Sequence, residues 1–361
     1  MGSRCPRLGG RANLDRQYTR QFSDERTRER ASSLKAIAES QLLQAAKADG
    51  FARSLLAWYD QHARKLPWRE DRDPYRVWVS EIMLQQTRVA AVLEHYCRFL
   101  KKFPTVNKLA AARESSVLAA WSGLGYYRRA RMLHAAAKLV IKEYRGEFPS
   151  DSQGLRQLPG IGRYTAAAIA SIAYDESVAV VDGNVERVLE RMSGTRLTRE
   201  QTWSTASNLL DSARPGDFNQ AMMELGATIC LPRQPQCLLC PMSGFCAARG
   251  ALETKPVTPR QRKRKIYFGL ARRDGHVLLV RRDQKESLMP GMWELPEFPA
   301  PSRAKPLLSL RHSITVTDYQ VKVMEVSTPK EGTGHWIARS RLASLPLTGL
   351  ARKILKRAEL L

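Results

Sequence analysis

From Phe51 to about Arg249, apolar side chains return every three or four positions, and the runs break at Pro67, Pro104, Gly146, Gly160, Gly194 and Pro215. The pattern predicts an all-α region of many short helices. After Lys265 the period shortens to that of strands. Ile266 to Arg272 and Val277 to Arg282 flank Asp274-Gly275, a hairpin signal because both turn residues tolerate positive φ. Tyr319, Val321 and Val323 alternate as a further strand, His335 to Ala338 form another, and Leu350 to Leu361 close the chain as an amphipathic helix. The expected fold class is mainly α, with a small α+β domain at 266–361.

Two stretches lack such a pattern. Residues 1–33 are Arg-rich without periodicity and read as a flexible basic arm, followed by a helix from Ser33 to about Ala48. Segment 1–50 therefore stands apart from a helical domain at 51–249. Residues 250–265 contain Pro256, Pro259 and the run Arg260-Gln261-Arg262-Lys263-Arg264-Lys265 with no apolar face, and read as a linker. A length of 361 residues suits two domains and a short extra segment, and is too great for a small disulfide-stapled scaffold. Apolar runs such as Tyr164 to Tyr174 are too short to span a bilayer, so no membrane association is expected. Residues 1–33 have no apolar signal-peptide core, so export is not expected.

The formal net charge is +24. Basic residues exceed acidic ones by 4 over 1–50, 7 over 51–248, 6 over 249–265 and 7 over 266–361. An excess on every segment fits a polyanion partner whose phosphates are neutralised along a broad surface.

Four of six cysteines are clustered as Cys230-x6-Cys237-x2-Cys240-x5-Cys246, among Pro232, Pro235 and Pro241. Such clustering argues for metal ligation in a reducing compartment over a disulfide framework. Either a [4Fe-4S] cluster or a tetrahedral zinc would satisfy four thiolates at these separations. Iron-sulfur is favoured, because a structural zinc usually shows two Cys-x2-Cys knuckles and here there is one.

Leu158-Pro159-Gly160-Ile161-Gly162-Arg163-Tyr164-Thr165 lies between two helical stretches. Gly160 and Gly162 permit a tight turn that points backbone N–H groups outward at a helix N-terminus, where an anion is favoured. An ordinary helix-helix turn is the alternative reading.

The hairpin, Val181-Asp182-Gly183-Asn184-Val185 and the four-cysteine loop together resemble the helix-hairpin-helix DNA glycosylase superfamily, over about Phe51 to Cys246. Leu66-Pro67-Trp68-Arg69, Ser80-Glu81-Ile82-Met83-Leu84-Gln85-Gln86-Thr87 and Gly123-Leu124-Gly125-Tyr126-Tyr127 narrow the resemblance to the MutY-type adenine DNA glycosylases. The resemblance implies a monofunctional enzyme that removes adenine mispaired with 8-oxoguanine or guanine from double-stranded DNA, acting as a monomer with a [4Fe-4S] cluster. In a bacterium it would act in the cytoplasm, on the nucleoid.

That chemistry needs a proton for the departing base and a charge to meet the sugar cation. Glu81 sits among Val77, Val79, Ile82, Met83 and Leu84, a setting that favours its protonated form, and it matches the family's general acid. Asp182 matches the catalytic aspartate that would stabilise or trap an oxocarbenium-like sugar, and Asn184 the polar residue beside it. Either could instead cap the helix from Val185 to Met192. Tyr164 stands where bifunctional relatives carry a Schiff-base lysine, and no lysine occurs from Glu143 to Thr254. Arg64, Arg69 and Gln220 match residues that line the site, and Gln86 and Tyr126 match wedges that fill the gap left by an extruded base.

Residues 266–361 resemble the Nudix-like domain of this family through Leu288-Met289-Pro290-Gly291-Met292-Trp293-Glu294-Leu295-Pro296, but lack the acidic helix that binds magnesium in Nudix hydrolases. A Pro-rich piece from Phe298 to Leu310 replaces a helix usual in the family. The Phe-Ser-His lesion-reading loop falls on Ile314-Thr315-Val316, where Thr315 keeps the hydroxyl. Two other readings remain open: a glycosylase of this fold for thymine or uracil opposite guanine, and a non-catalytic iron-sulfur protein that binds damaged DNA.

Overall fold

The computed structural model describes residues 48–250, 252, 262–286, 288–299, 305–314, 317–326 and 334–361. The basic arm, nearly all of the helix expected from Ser33, and Thr315 lie outside them. A first helix, α1, covers 48–62. Then follow α2 (Pro74–Leu84), α3 (Val89–Lys102), α4 (Val106–Ala110), α5 (Glu114–Trp121), α6 (Arg128–Tyr144), α7 (Ser152–Leu155), α8 (Arg163–Tyr174), α9 (Gly183–Ser193), α10 (Arg199–Leu209) and α11 (Pro215–Thr228). Most of the expected punctuation falls between helices, but Pro215 starts one. Proline has no N–H to lose in a first turn, and its φ already suits a helix.

These helices build two lobes. The chain enters one lobe through α1, crosses to the other for α2 to α8, and returns for α9 to α11. Trp78, Phe99, Trp121 and Leu133 are buried at the centre of the α2 to α8 lobe, packed with Ala166 to Ala170 of α8. The second core joins Phe51 and Leu55 of α1 to Val188 and Leu189 of α9, Phe218 and Leu225 of α11, and Met242 of the cysteine loop. Helix α8 is small-sided over 166–168, so α2 packs directly on it. That approach brings the ends of both helices to the cleft between the lobes.

In the C-terminal region β1 (Arg262–Leu270) pairs in parallel with β6 (Thr317–Glu325), which pairs antiparallel with β5 (Leu308–Ile314). A second sheet contains β2 (Arg272–Arg273), β3 (His276–Arg281) and β4 (Trp293–Glu294), with β7 (His335–Ala338) on β3. Asp274 and Gly275 have φ of 48° and 73° and form the expected turn, though its first strand is the short β2. Strand β1 begins at Arg262, inside the stretch read as a linker. Its first four residues are exposed and gain their order from main-chain pairing to 317–320, which needs no apolar face. The closing helix α12 spans Gly349–Arg357, shorter than the expected 350–361, and buries Leu350, Ala351, Ile354 and Leu355.

The C-terminal region docks on the loop between α5 and α6. Ser122 Oγ and Tyr127 Oη both donate to the Leu347 carbonyl at 2.8 and 3.1 Å, and Arg352 Nε donates to Ser122 Oγ at 2.9 Å. Arg131 Nη2 donates to the Pro290 carbonyl at 2.6 Å, and Met292 is buried with the α2 to α8 core. Replacing Tyr127 by Phe removes the bond to Leu347, which keeps its Ser122 donor, and a long 3.4 Å bond accepted from Gly123 N. The expected cost is about 1 kcal/mol, read as a lower urea midpoint with unchanged slope. An unmoved midpoint would assign the docking to the apolar contacts alone.

Candidate active site

Helix α2 starts at Asp73, whose carboxylate accepts from Tyr75 N at 2.8 Å and Arg76 N at 3.4 Å, and it is buried from Val77 to Met83. Glu81 is therefore largely withdrawn from solvent, being 6% exposed at the edge of the cleft. Tyr164, in the first turn of α8, donates its hydroxyl to Glu81 Oε2 at 2.6 Å and has Met223 Sδ at 3.4 Å. Burial raises the Glu81 pKa to about 7; the Tyr164 bond and Arg69 oppose the rise, and the charge of Asp182 adds to it. The carboxyl is thus poised between acid and base near neutrality.

Asp182 is the N-cap of α9. Its Oδ1 accepts from Asn184 N at 2.9 Å and Val185 N at 2.8 Å, and its Oδ2 from Asn184 Nδ2 at 3.0 Å. The capping alternative therefore holds for Asp182 together with its place at the cleft. Burial raises its pKa, while these three donors favour the carboxylate. Asn184 points its Oδ1 at Arg187 Nη2, 2.9 Å away, and Arg187 continues to the Cys230 carbonyl through Nε at 2.9 Å. A Cβ on Gly226 would lie 2.6 Å from Asn184 Cβ, so glycine there lets α11 close on this corner.

Arg64 and Arg69 share one partner that the sequence reading missed. Glu224 on α11 accepts from Arg64 Nε at 2.5 Å and Nη2 at 2.9 Å, and from Arg69 Nη2 at 2.8 Å. Burial would raise its pKa, but the two guanidiniums prevail and hold it low. Gln220 precedes Glu224 by one helical turn, and both line the cleft. That i, i+4 spacing was the one available signal. Gln86 and Tyr126 also line the cleft at exposed positions with left-handed φ of 55° and 48°.

At the hairpin, Gly160 has φ +79°, and a Cβ there would lie 2.6 Å from Met132 Cβ. Gly162 is the N-cap of α8 and supplies no side-chain cap, so the first N–H groups of α8 stay free for an anion. Arg163 stacks on Trp203, its guanidinium carbon 3.7 Å from the ring centre, which fixes a cation beside these N–H groups. Gly160 lines the cleft.

The cysteine loop leaves α11 at Cys230 and docks back on α9 through Ala247 N to Met192 O and Ala248 N to Arg191 O, both 3.0 Å. Arg191 Nη1 lies 3.2 Å from Cys230 Sγ and also donates to the Leu231 carbonyl at 2.8 Å. Cys230, Cys237, Cys240 and Cys246 are free thiols; burial raises the Cys240 pKa, and the other three sulfurs add to the rise. Four thiols in one short loop, with a guanidinium on one of them, have the donor chemistry of an iron-sulfur centre. Among the described residues, no three His, Cys, Asp or Glu side chains converge on a single ion.

Glu81, Tyr164, Asp182, Asn184, Glu224 and its two arginines border one cleft of about 1720 Å³, which His312, Arg352, Lys353 and Lys356 of the C-terminal region also line. A cleft between two helical lobes, with paired carboxyls inside and a glycine hairpin beside it, defines a helix-hairpin-helix base excision protein. Residues 79–211 match the model of the HhH-GPD superfamily base excision DNA repair proteins, and the chain belongs to that superfamily. It is 45% identical over 282 residues to an adenine DNA glycosylase of Mus musculus, covering 69% of this chain and 54% of the relative. With that of Homo sapiens it shares 49% over 223 residues, covering 58% and 41%. The chain thus spans about half the length of the curated relatives it matches. A solved thermostable thymine-DNA glycosylase is 31% identical with a TM-score of 0.54, covering 56% of this chain and 97% of that one.

A carboxyl whose pKa rises from 4.5 unfolded to about 7 folded keeps its proton in the native state while the unfolded chain loses it. Its contribution to stability is complete below pH 4.5, falls through that window and is gone above about 7. Glu81→Gln should therefore raise the melting temperature little at pH 4.5 and increasingly up to pH 7, approaching roughly 3 kcal/mol before relaxation of the site. A stability difference that does not vary with pH would show that Glu81 titrates normally.

Proposed function

We propose that this chain is a monofunctional adenine DNA glycosylase acting on adenine mispaired with 8-oxoguanine or guanine in double-stranded DNA. The observation that carries the reading is the pair of cleft carboxyls with opposed surroundings. Glu81 is buried with one hydroxyl donor, and Asp182 faces three N–H donors. Burial raises the pKa of both, and the three donors at Asp182 favour its carboxylate form.

With Tyr164 donating to Oε2, Oε1 of Glu81 is the atom that carries the proton to a ring nitrogen of the departing base, which leaves as neutral adenine. The sugar becomes electron-poor as the bond breaks. Asp182, held by the α9 N-terminus and Asn184, stabilises that cation or bonds to it until water replaces the base, the logic of retaining glycosidases. Arg64, Arg69, Glu224 and Gln220 supply a wall of fixed donors and acceptors suited to the edges of a purine. Free N–H groups at Gly162 to Tyr164, with Arg163, take a backbone phosphate. Tyr164 cannot form a Schiff base, and among the described residues the lysines on the cleft are Lys353 and Lys356 at its outer rim.

The four cysteines suit a [4Fe-4S] cluster. Zinc would need all four sulfurs about 2.3 Å from one centre, and among the described residues no three such side chains converge on one ion. The cluster when bound cross-links the loop, and Arg191 and Arg187 tie that loop to the helix headed by Asp182. Protein made anaerobically with ample iron should be yellow-brown with about four irons per chain. Stoichiometric zinc in that preparation would refute the cluster.

A second reading, thymine opposite guanine, is favoured by the likeness to the thymine-DNA glycosylase, at lower identity than the adenine-specific relatives. A single-turnover panel of mismatched duplexes separates the two. The expected result is excision of adenine opposite 8-oxoguanine and guanine, no loss of thymine, and no borohydride-trapped adduct. Rates should decline as pH rises through about 7, where Glu81 loses its proton. Glu81→Gln and Asp182→Asn should each abolish excision while duplex binding persists. Thymine release, or turnover in either variant, would overturn the assignment.

A further inference from the structure

Arg129, in the first turn of α6, is a largely buried cation whose six acceptors are all neutral. Nη1 donates to the carbonyls of Ile82 at 2.8 Å and Met83 at 2.9 Å, and to that of Gln85. Nη2 donates to Thr87 Oγ1 at 3.0 Å and to the carbonyls of Leu124 and Gly125, both at 3.4 Å. The guanidinium carbon lies 5.5 Å from the Trp121 ring centre and 5.4 Å from that of Tyr126. Burial with no counter-charge lowers its pKa to about 10.

A desolvated cation persists only where other interactions offset the loss of water. Ile82 and Met83 are among the last residues of α2, so their carbonyls have no acceptor role inside the helix and lie at its negative end. The remaining acceptors have a different consequence. Gln85 and Thr87 bracket Gln86, and Leu124 and Gly125 immediately precede Tyr126. Both bracketed residues are held at positive φ, which a non-glycine residue keeps only when its surroundings over-determine it. One planar fork reaches both loops and the end of the helix that carries Glu81. A lysine, with a single ammonium, could not span them.

We propose that Arg129 is a positioning residue that locks the Gln86 and Tyr126 loops into one wedge, so that both side chains enter the duplex together when the target base leaves the stack. The proposal rests on the cleft being a base-extruding site, as read above. Arg129 does not itself touch the base or the sugar.

The test uses the full chain with 2-aminopurine at the target position opposite 8-oxoguanine, and in parallel adenine at the same position. Unmodified protein should raise 2-aminopurine fluorescence on binding, as the base unstacks. Arg129→Lys should lose most of that rise and slow single-turnover excision of adenine roughly 10- to 100-fold, the scale expected of a displacement near 1 Å. In a Gln86→Ala, Tyr126→Ala background, Arg129→Lys should change neither quantity further, because the residues it acts through are absent. Should Arg129→Lys not fold, Thr87→Val carries the test, since it frees one loop without exposing the arginine; it should give a smaller loss of the same kind. A full fluorescence rise in the variants, or an undiminished extra defect in the wedge-less background, would overturn the proposal and leave Arg129 a fastener of the fold. If unmodified protein neither unstacks 2-aminopurine nor releases adenine, the reading of the cleft fails first and takes this inference with it.

Discussion

The bond from Tyr164 to Glu81 is the point at which folding and chemistry meet. It joins α2 to α8 beside a second bond, Gln85 to Thr165, and it holds a largely buried carboxyl at the edge of the cleft. An ionised Glu81 would carry a large desolvation penalty there. The proton resolves that conflict, and the same proton is the one a departing base requires. A more solvated glutamate would stabilise the fold at neutral pH and lose its use as an acid.

Asp182 extends the same economy to the other lobe. The N–H groups at the start of α9 need an acceptor wherever that helix begins, and Asp182 supplies it with the oxygens that face the cleft. Helix α9 then runs to the cysteine loop, where Arg187 and Arg191 bind its carbonyls and one sulfur. Any rotation of the loop would therefore be felt at the aspartate. A centre held by the cysteines would thus reach the site through α9, with no contact to the base required.

Much of this was legible along the chain, because the informative features are local. The apolar neighbours of Glu81, the spacing of the cysteines and the glycines of the hairpin are all local signals, and the resemblance to a known family gave them their roles. What escaped is held by partners far apart in sequence. Glu224 meets Arg64 across 160 positions, and Arg129 reaches Ile82 across 47. An isolated Arg or Glu on an amphipathic helix looks the same whether it faces solvent or a buried counterpart. The basic run before Ile266 misled for the opposite reason: its strand is specified by backbone pairing to residues 317–320, and its own side chains contribute no pattern.

The distribution of charge gives the cleft its direction. A chain with net charge +24 nevertheless collects Glu81, Asp182 and Glu224 at the floor of its main cleft. Two guanidiniums neutralise Glu224 and Arg98 pairs with Glu94, so among the described residues Asp182 and, once deprotonated, Glu81 are the cleft carboxyls outside an ion pair. Cations lie outside them, at Arg163 by the hairpin and at Arg352, Lys353 and Lys356 on the far rim. The cations at the rim would attract a polyanion there. In the proposed reaction a nucleoside turned inward would leave its phosphates behind, and the positive charge that grows on its sugar would meet Asp182 and a Glu81 that has given up its proton.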